Sequence, residues 1–156
     1  MYSVHKIEKW DVLKLFRVAD ILYQCGKHMS VEYNLHHWDN SYVKCLMIVF
    51  LHMLKNNVYL VYYEEHPIAT FQIIQINQVI LFQKLAVSPD FSGKGIGSYC
   101  LRYIEQLAAA KQCSEINCEV YDKSRHALSF YRNRGYHDCE IVKSVKYRLL
   151  RLKKEL

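Results

Sequence analysis

The chain has 156 residues, 51% of them apolar and 23% charged, enough for one domain with its own core. Charge and turn residues are spread among apolar segments, which excludes a disordered chain. The longest apolar run, residues 45–54, contains His52 and is too short to span a membrane. The net charge of +6, from 21 basic and 15 acidic residues, favours polyanionic partners such as nucleic acid, an acidic membrane surface or a phosphorylated cofactor. The densest basic stretch, 143–154, is broken by Val145, Tyr147, Leu149 and Leu150, so it reads as an amphipathic strand on a solvated basic surface. No nucleic-acid or membrane partner is expected.

Residues 2–7 alternate as a first strand. From Asp11, a plausible N-cap, Val12, Leu15, Phe16, Ala19, Leu22 and Tyr23 recur at helical spacing, and Gly26 is a natural stop. A polar and aromatic stretch, 27–38, follows. Asp39 or Ser41 caps a second helix with Val43, Leu46, Met47, Phe50, Leu51 and Leu54 as its apolar face, ended by Asn56 and Asn57. Residues 58–63, 68–76 and 79–87 form an antiparallel meander, with a turn at 64–67. A helix spans about 95–111, with Ile96, Cys100, Tyr103, Ile104, Leu107 and Ala108 inward. A strand at 115–121 precedes a short helix capped by Ser124 and stopped at Gly135, and strands 136–142 and 145–152 close the chain. Without repeats or linkers, residues 1–156 are expected to form one α/β (α+β) domain with a mixed sheet.

Six cysteines stand at 25, 45, 100, 113, 118 and 139. None forms a Cys-x-x-Cys pair, so no zinc site of the usual spacing is expected. Cys25, Cys45 and Cys100 fall on amphipathic helices as small buried hydrophobes. With no leader recognised at the N-terminus, a reduced cytoplasmic setting is expected. Adjacent His36 and His37 point apart, and no metal site follows from them.

The first chemically informative segment runs from Leu85, Ala86 and Val87 through Asp90 to Ser92, Gly93, Lys94, Gly95, Ile96, Gly97 and Ser98. A strand ends, a glycine loop follows and a helix begins. Glycines let the backbone approach a ligand closely, and free N–H groups with the helix dipole favour phosphate there. A structural turn has the same pattern, so the loop alone leaves both readings open. It lacks the Lys–Ser/Thr ending of a P-loop. It follows a meander, not the opening of a βαβ unit, so Glu115 and Glu119 do not read as ribose-binding acids despite their spacing.

The second segment is residues 124–136. Ala127 and Phe130 are one helical turn apart and expected to face the core, with Tyr131 at the edge of that face. A packed aromatic and a functional hydroxyl both fit Tyr131.

Together the segments resemble the GCN5-related N-acetyltransferase (GNAT) superfamily. The sequence from Leu85 to Ser98 is similar to its acetyl-CoA motif. Ala127, Phe130, Tyr131, Gly135 and Tyr136 are similar to its second motif, with one strand between the two. The resemblance implies a mostly antiparallel, six- to seven-stranded V-shaped sheet flanked by about four helices. It further implies an acetyl-CoA-dependent N-acetyltransferase, with acetyl-CoA as cosubstrate and no metal, transferring directly to an amine in a ternary complex. Leu85 N–H would contact the acetyl carbonyl, Val87 the pantetheine arm, and the backbone of residues 93–98 the pyrophosphate. Tyr131 would protonate the departing thiolate, which reference pKa values of about 10 for tyrosine and about 8.5 for a thiol permit.

Two positions depart from the family pattern. Ser92 stands where Gln or Arg is usual, so one pyrophosphate contact is shortened or lost, and Ser124 stands where Asn is frequent, with a shorter reach. The family's occasional strand glutamate aligns with Leu81, leaving the base unassigned among Glu119, His36, His37 and Tyr33. Tyr33, Trp38 and Glu119 are candidate acceptor-side residues, for a small molecule or peptide carrying an amine. A non-catalytic acyl-CoA-binding sensor or scaffold is the second reading. A monomer or a homodimer is compatible with the sequence.

Overall fold

The computed structural model describes residues 1–156. In chain order its elements are β1 (Tyr2–Lys6), α1 (Val12–Tyr33), α2 (Tyr42–Lys55), β2 (Asn57–Tyr63), β3 (His66–Ile76), β4 (Val79–Val87), α3 (Ile96–Ala110), β5 (Glu115–Tyr121), α4 (Arg125–Arg132), β6 (His137–Lys143) and β7 (Arg148–Glu155), with a 3-10 turn at Pro89–Phe91. The strand order is β1-β2-β3-β4-β5-β7-β6. Four helices and a mixed, mostly antiparallel seven-stranded sheet are therefore what the sequence led us to expect. No helix is long and apolar enough to cross a membrane. By its contacts the backbone divides into two compact units, Met1–Ile73 with Lys84–Arg102, and Ile74–Gln83 with Tyr103–Leu156.

In the first unit, β1 pairs antiparallel with β2, and β2 with β3. The expected turn at 64–67 is shorter, because β3 begins at His66 and Pro67 already faces Tyr62. The register shifts between Val61 and Tyr62, and such a bulge accommodates a residue without an N–H. One face carries α1 and α2. Their core joins Val18, Ala19, Leu22 and Cys25 to Cys45, Val49 and Met53, above Val58, Leu60 and Ala86. Each large aliphatic side chain buried there contributes about 1.5–3 kcal/mol.

Three helices differ in detail from expectation. Asp11 caps α1 as expected, its carboxylate accepting from Lys14 N–H at 3.1 Å. The helix does not stop at Gly26, however. It continues to Tyr33 and ends at Asn34, whose φ is 53°. Gly26 is there for close approach: a Cβ on it would meet the Trp38 carbonyl carbon at 2.9 Å and the oxygen closer still. Second, Ser41 caps α2, but the buried face is Cys45, Val49 and Met53. The expected apolar face lies largely outward, with Val43, Met47, Phe50, Leu51 and Leu54 all exposed. Hydrophobicity alone does not set orientation in a helix that is apolar nearly all round. Third, Ile96, Cys100, Ile104 and Ala108 of α3 are buried together with Leu101, while Tyr103 and Leu107 are half-buried.

In the second unit, β5 is parallel to β4, from Val79 opposite Glu115 to Phe82 opposite Cys118. A parallel pair needs a long crossover, and the connection between them contains α3. β7 lies antiparallel between β5 and β6. The closing strands begin later than expected. Tyr136 is not in β6 but fully buried, its ring edge-on to Phe82 and its hydroxyl donating to Glu105 at 3.4 Å. Ser144 N–H bonds the Tyr147 carbonyl at 3.0 Å, turning the chain before β7. Five of the six cysteines are buried and Cys139 is exposed.

Candidate functional site

β4 delivers Leu85, Ala86 and Val87 to the start of the glycine loop. Ala86 is buried against the α1–α2 core, and the Val87 carbonyl accepts the Cys25 thiol at 3.0 Å. The following residue is anchored twice: Ser88 N–H donates to the Ile68 carbonyl at 2.8 Å and its hydroxyl to Gln24 at 3.4 Å. These bonds tie the end of the strand to β3 and α1. The loop therefore leaves a fixed point.

Within the loop, Gly93 and Gly95 have φ of 74° and 79°, the left-handed region that glycine enters without penalty. A Cβ on either would have nothing within 4 Å. The backbone is thus open to a ligand on the side where a side chain would stand. Tyr99 N–H closes onto the Gly95 carbonyl at 3.0 Å. The N–H groups of Ile96 and Gly97, in the first turn of α3, have no carbonyl one turn back within the helix. Lys94 folds over Phe91 at 5.0 Å and donates to the Asp90 carbonyl at 3.1 Å. An open, N–H-rich backbone at a helix N-terminus with a lysine beside it suits a phosphorylated cofactor.

Tyr131 stands on α4, in the second unit. The inward face of this helix is Leu128 and Tyr131, while Ala127 and Phe130 are half-buried, so the expected facing is rotated. The Tyr131 ring lies 5.7 Å from Phe82, 5.9 Å from Tyr136 and 5.1 Å from Phe130, centroid to centroid. Three aromatic neighbours hold its direction. Phe130 is covered instead by Arg134, whose guanidinium lies 3.8 Å from the ring centroid. Ser124 is the N-cap residue, but its buried side chain makes no capping bond. The helix ends at Arg132, and Gly135, expected directly at the stop, comes after the cap residue Asn133. Its φ is 87°.

The acceptor-side candidates are placed differently from one another. Tyr33 is exposed at the end of α1, with His28 edge-on at 6.1 Å. His36 bonds Ser30 and Asn34. Glu119 is held by the Arg151 guanidinium at 2.7 Å, and the same guanidinium binds Glu140. Trp38 is half-buried and lines a small pocket with Leu22, Asn40, Cys45, Ile48 and Lys84.

Lys84 is the residue that sequence reading missed. Its φ is 52° within β4, and its ammonium lies 4.9 Å from the centroid of the Trp38 ring. Burial pulls its pKa below the ordinary lysine range. The available signal was the polar pair Gln83–Lys84, which breaks an otherwise apolar strand.

The acetyltransferase (GNAT) family model matches residues 22–136. The chain belongs to this family. A stretch of 59 residues is 30% identical to thialysine N-epsilon-acetyltransferase from Bos taurus. That stretch covers 38% of this chain and only 35% of the relative. Among solved structures, the ribosomal-protein-S18-alanine N-acetyltransferase from Escherichia coli superposes with a TM-score of 0.76 over 99% of this chain and 94% of that one, at 12% identity. The PaiA N-acetyltransferase from Thermoplasma acidophilum, in complex with coenzyme A, gives 0.73 over 99% of each chain at 15% identity. At such identities these structures speak for the fold.

Proposed function

We propose that the protein is an acetyl-CoA-dependent N-acetyltransferase that passes the acetyl group directly to an amine in a ternary complex. The observation that carries this reading is the open glycine loop, Gly93 and Gly95 at left-handed φ ahead of α3, in a chain of the GNAT family.

Acetyl-CoA supplies an activated acetyl thioester. The backbone of Ser92, Gly93, Lys94, Gly95, Ile96, Gly97 and Ser98 binds its pyrophosphate, with Lys94 adding a positive charge. Leu85, Ala86 and Val87 hold the pantetheine arm as an added strand would be held. The Val87 carbonyl, which already accepts from Cys25, has a second lone pair for this. Leu85 N–H donates to the acetyl carbonyl oxygen and stabilises the negative charge that grows there as the amine attacks. When the C–S bond breaks, the Tyr131 hydroxyl gives its proton to the sulfur, while the attacking amine gives up its own proton to water and the tyrosinate regains one from water. Ser124 lies at the start of the same helix as a short polar contact to the arm.

The acceptor is an amine-bearing small molecule or peptide, met on the side of Tyr33 and Trp38. Glu119 is a candidate proton acceptor through water, with Arg151 paired to its Oε1.

A panel of amines, including thialysine, amino acids, polyamines, aminoglycosides and peptides, tests the reading through CoA release and N-acetyl product. At least one class should turn over well above hydrolysis. Tight acetyl-CoA binding with no acceptor-dependent release would favour a sensor or scaffold.

A further inference from the structure

The pocket around Lys84 lies within the first unit and carries chemistry that the mechanism above does not use. Lysine in a strand takes a left-handed φ only where the surrounding fold over-determines it. Here that strain coincides with a side chain turned into the pocket of Leu22, Trp38, Asn40, Cys45 and Ile48. The amine rests on the Trp38 ring and has no carboxylate or hydrogen-bonding partner. Lys27, near the same pocket, differs: its ammonium is neutralised by Asp39 at a charge-paired contact.

Lys84 is the lysine in the pocket lining, and both Cys45 on the pocket wall and His52 on the same helix feel its charge. A partly buried amine without a counter-ion is an unbalanced group. Strained backbone and perturbed titratable side chains cluster at functional sites.

We propose that Lys84 is the anion-binding residue of the acceptor pocket, and that the acceptor amine also bears a carboxylate, as an amino acid does. This inference rests on the acetyltransferase reading. The pocket has room for about one water, so the carboxylate sits at its mouth, beside the Asn40 side chain and the Trp38 ring, and supplies the missing counter-ion to Nζ. An acceptor with only positive charges, such as a polyamine or an aminoglycoside, meets like charge at the same place. The pocket therefore selects for a zwitterion by attraction and against a polycation by repulsion.

Lysine and cadaverine form a matched pair that differs only in the carboxylate, as do Nε-acetyl-lysine and N-acetylcadaverine. In a Trp10→Phe background, Trp38 is the remaining tryptophan and its fluorescence reports directly on the pocket. Titration without acetyl-CoA should show Nε-acetyl-lysine binding at least tenfold more tightly than N-acetylcadaverine. Lys84→Met should abolish the difference and Lys84→Arg should largely keep it. Turnover with acetyl-CoA should follow the same order for lysine over cadaverine.

Equal binding of the two acetyl compounds, binding of neither, or a preference that survives Lys84→Met would overturn the proposal. Loss of cadaverine turnover in Lys84→Met to the same degree as lysine turnover would also do so, since it points to Lys84 as a base. Carboxylate selectivity in binding without any CoA release would leave this site standing and sink the acetyltransferase reading. Acceptor turnover without carboxylate selectivity would do the reverse.

Discussion

The carbonyl of Trp38 packs directly against Gly26 in the middle of α1, with no room for a Cβ between them. This contact brings the segment after α1 back along the helix and sets Trp38 on the wall of the Lys84 pocket.

Gly26→Ala should therefore destabilise the protein, although alanine favours a helix by about 1 kcal/mol. Overpacking against backbone costs about 1–3 kcal/mol or more, and a carbonyl cannot rotate aside as a side-chain tip does. Urea denaturation should show a lowered midpoint. An unchanged or raised midpoint would show that the loop yields freely.

How far the sequence reveals this molecule is clear from such positions. β4 and β5 were legible to the residue, because apolar runs bounded by turn residues leave little freedom, and the loop between β4 and α3 was legible from its glycines. Gly26 misled because glycine serves both helix termination and close approach, and composition does not distinguish them. The inward face of α2 was hidden by apolar residues all round. Lys84 was hidden for another reason: a lysine in a strand reads as a solvent-facing position, and neither its left-handed φ nor its place in a pocket is visible without the structure. Arg151 and Glu119 are adjacent only through the β5–β7 register, a pairing of positions far apart in the chain.

Gly95→Ala should weaken acetyl-CoA binding more than it weakens the fold. A left-handed φ costs an L-residue about 1–2 kcal/mol, and the new methyl would stand where nothing of the protein lies within 4 Å, the space proposed for the pyrophosphate. Calorimetry should give a Kd raised at least tenfold with a smaller change in thermal stability. An unchanged Kd would remove the pyrophosphate from this face of the loop.

Stability should depend on pH through Lys84. Burial holds its amine below the ordinary value of 10.5. Between that folded pKa and 10.5 the unfolded chain binds a proton that the folded chain does not, so stability rises with pH through this window. Below the folded pKa both states are protonated and the penalty is constant. Lys84→Met should be more stable than the wild type at neutral pH, and the difference should shrink as pH approaches 10.5. Urea midpoints for the two proteins between pH 7 and 10.5 check this, and a constant difference would mean that the amine keeps its ordinary pKa.

The central claim is that Tyr131, held among Phe82, Phe130 and Tyr136, gives a proton to the departing thiolate. Tyr131→Phe removes one oxygen and keeps the ring contacts. The decisive measurement is acetyl-CoA affinity beside acceptor-dependent CoA release in this variant, with any acceptor that the wild type uses. The account predicts unchanged affinity and a kcat lowered by about 10²–10⁴, the usual contribution of general acid–base catalysis. Equal turnover in the two proteins would contradict it.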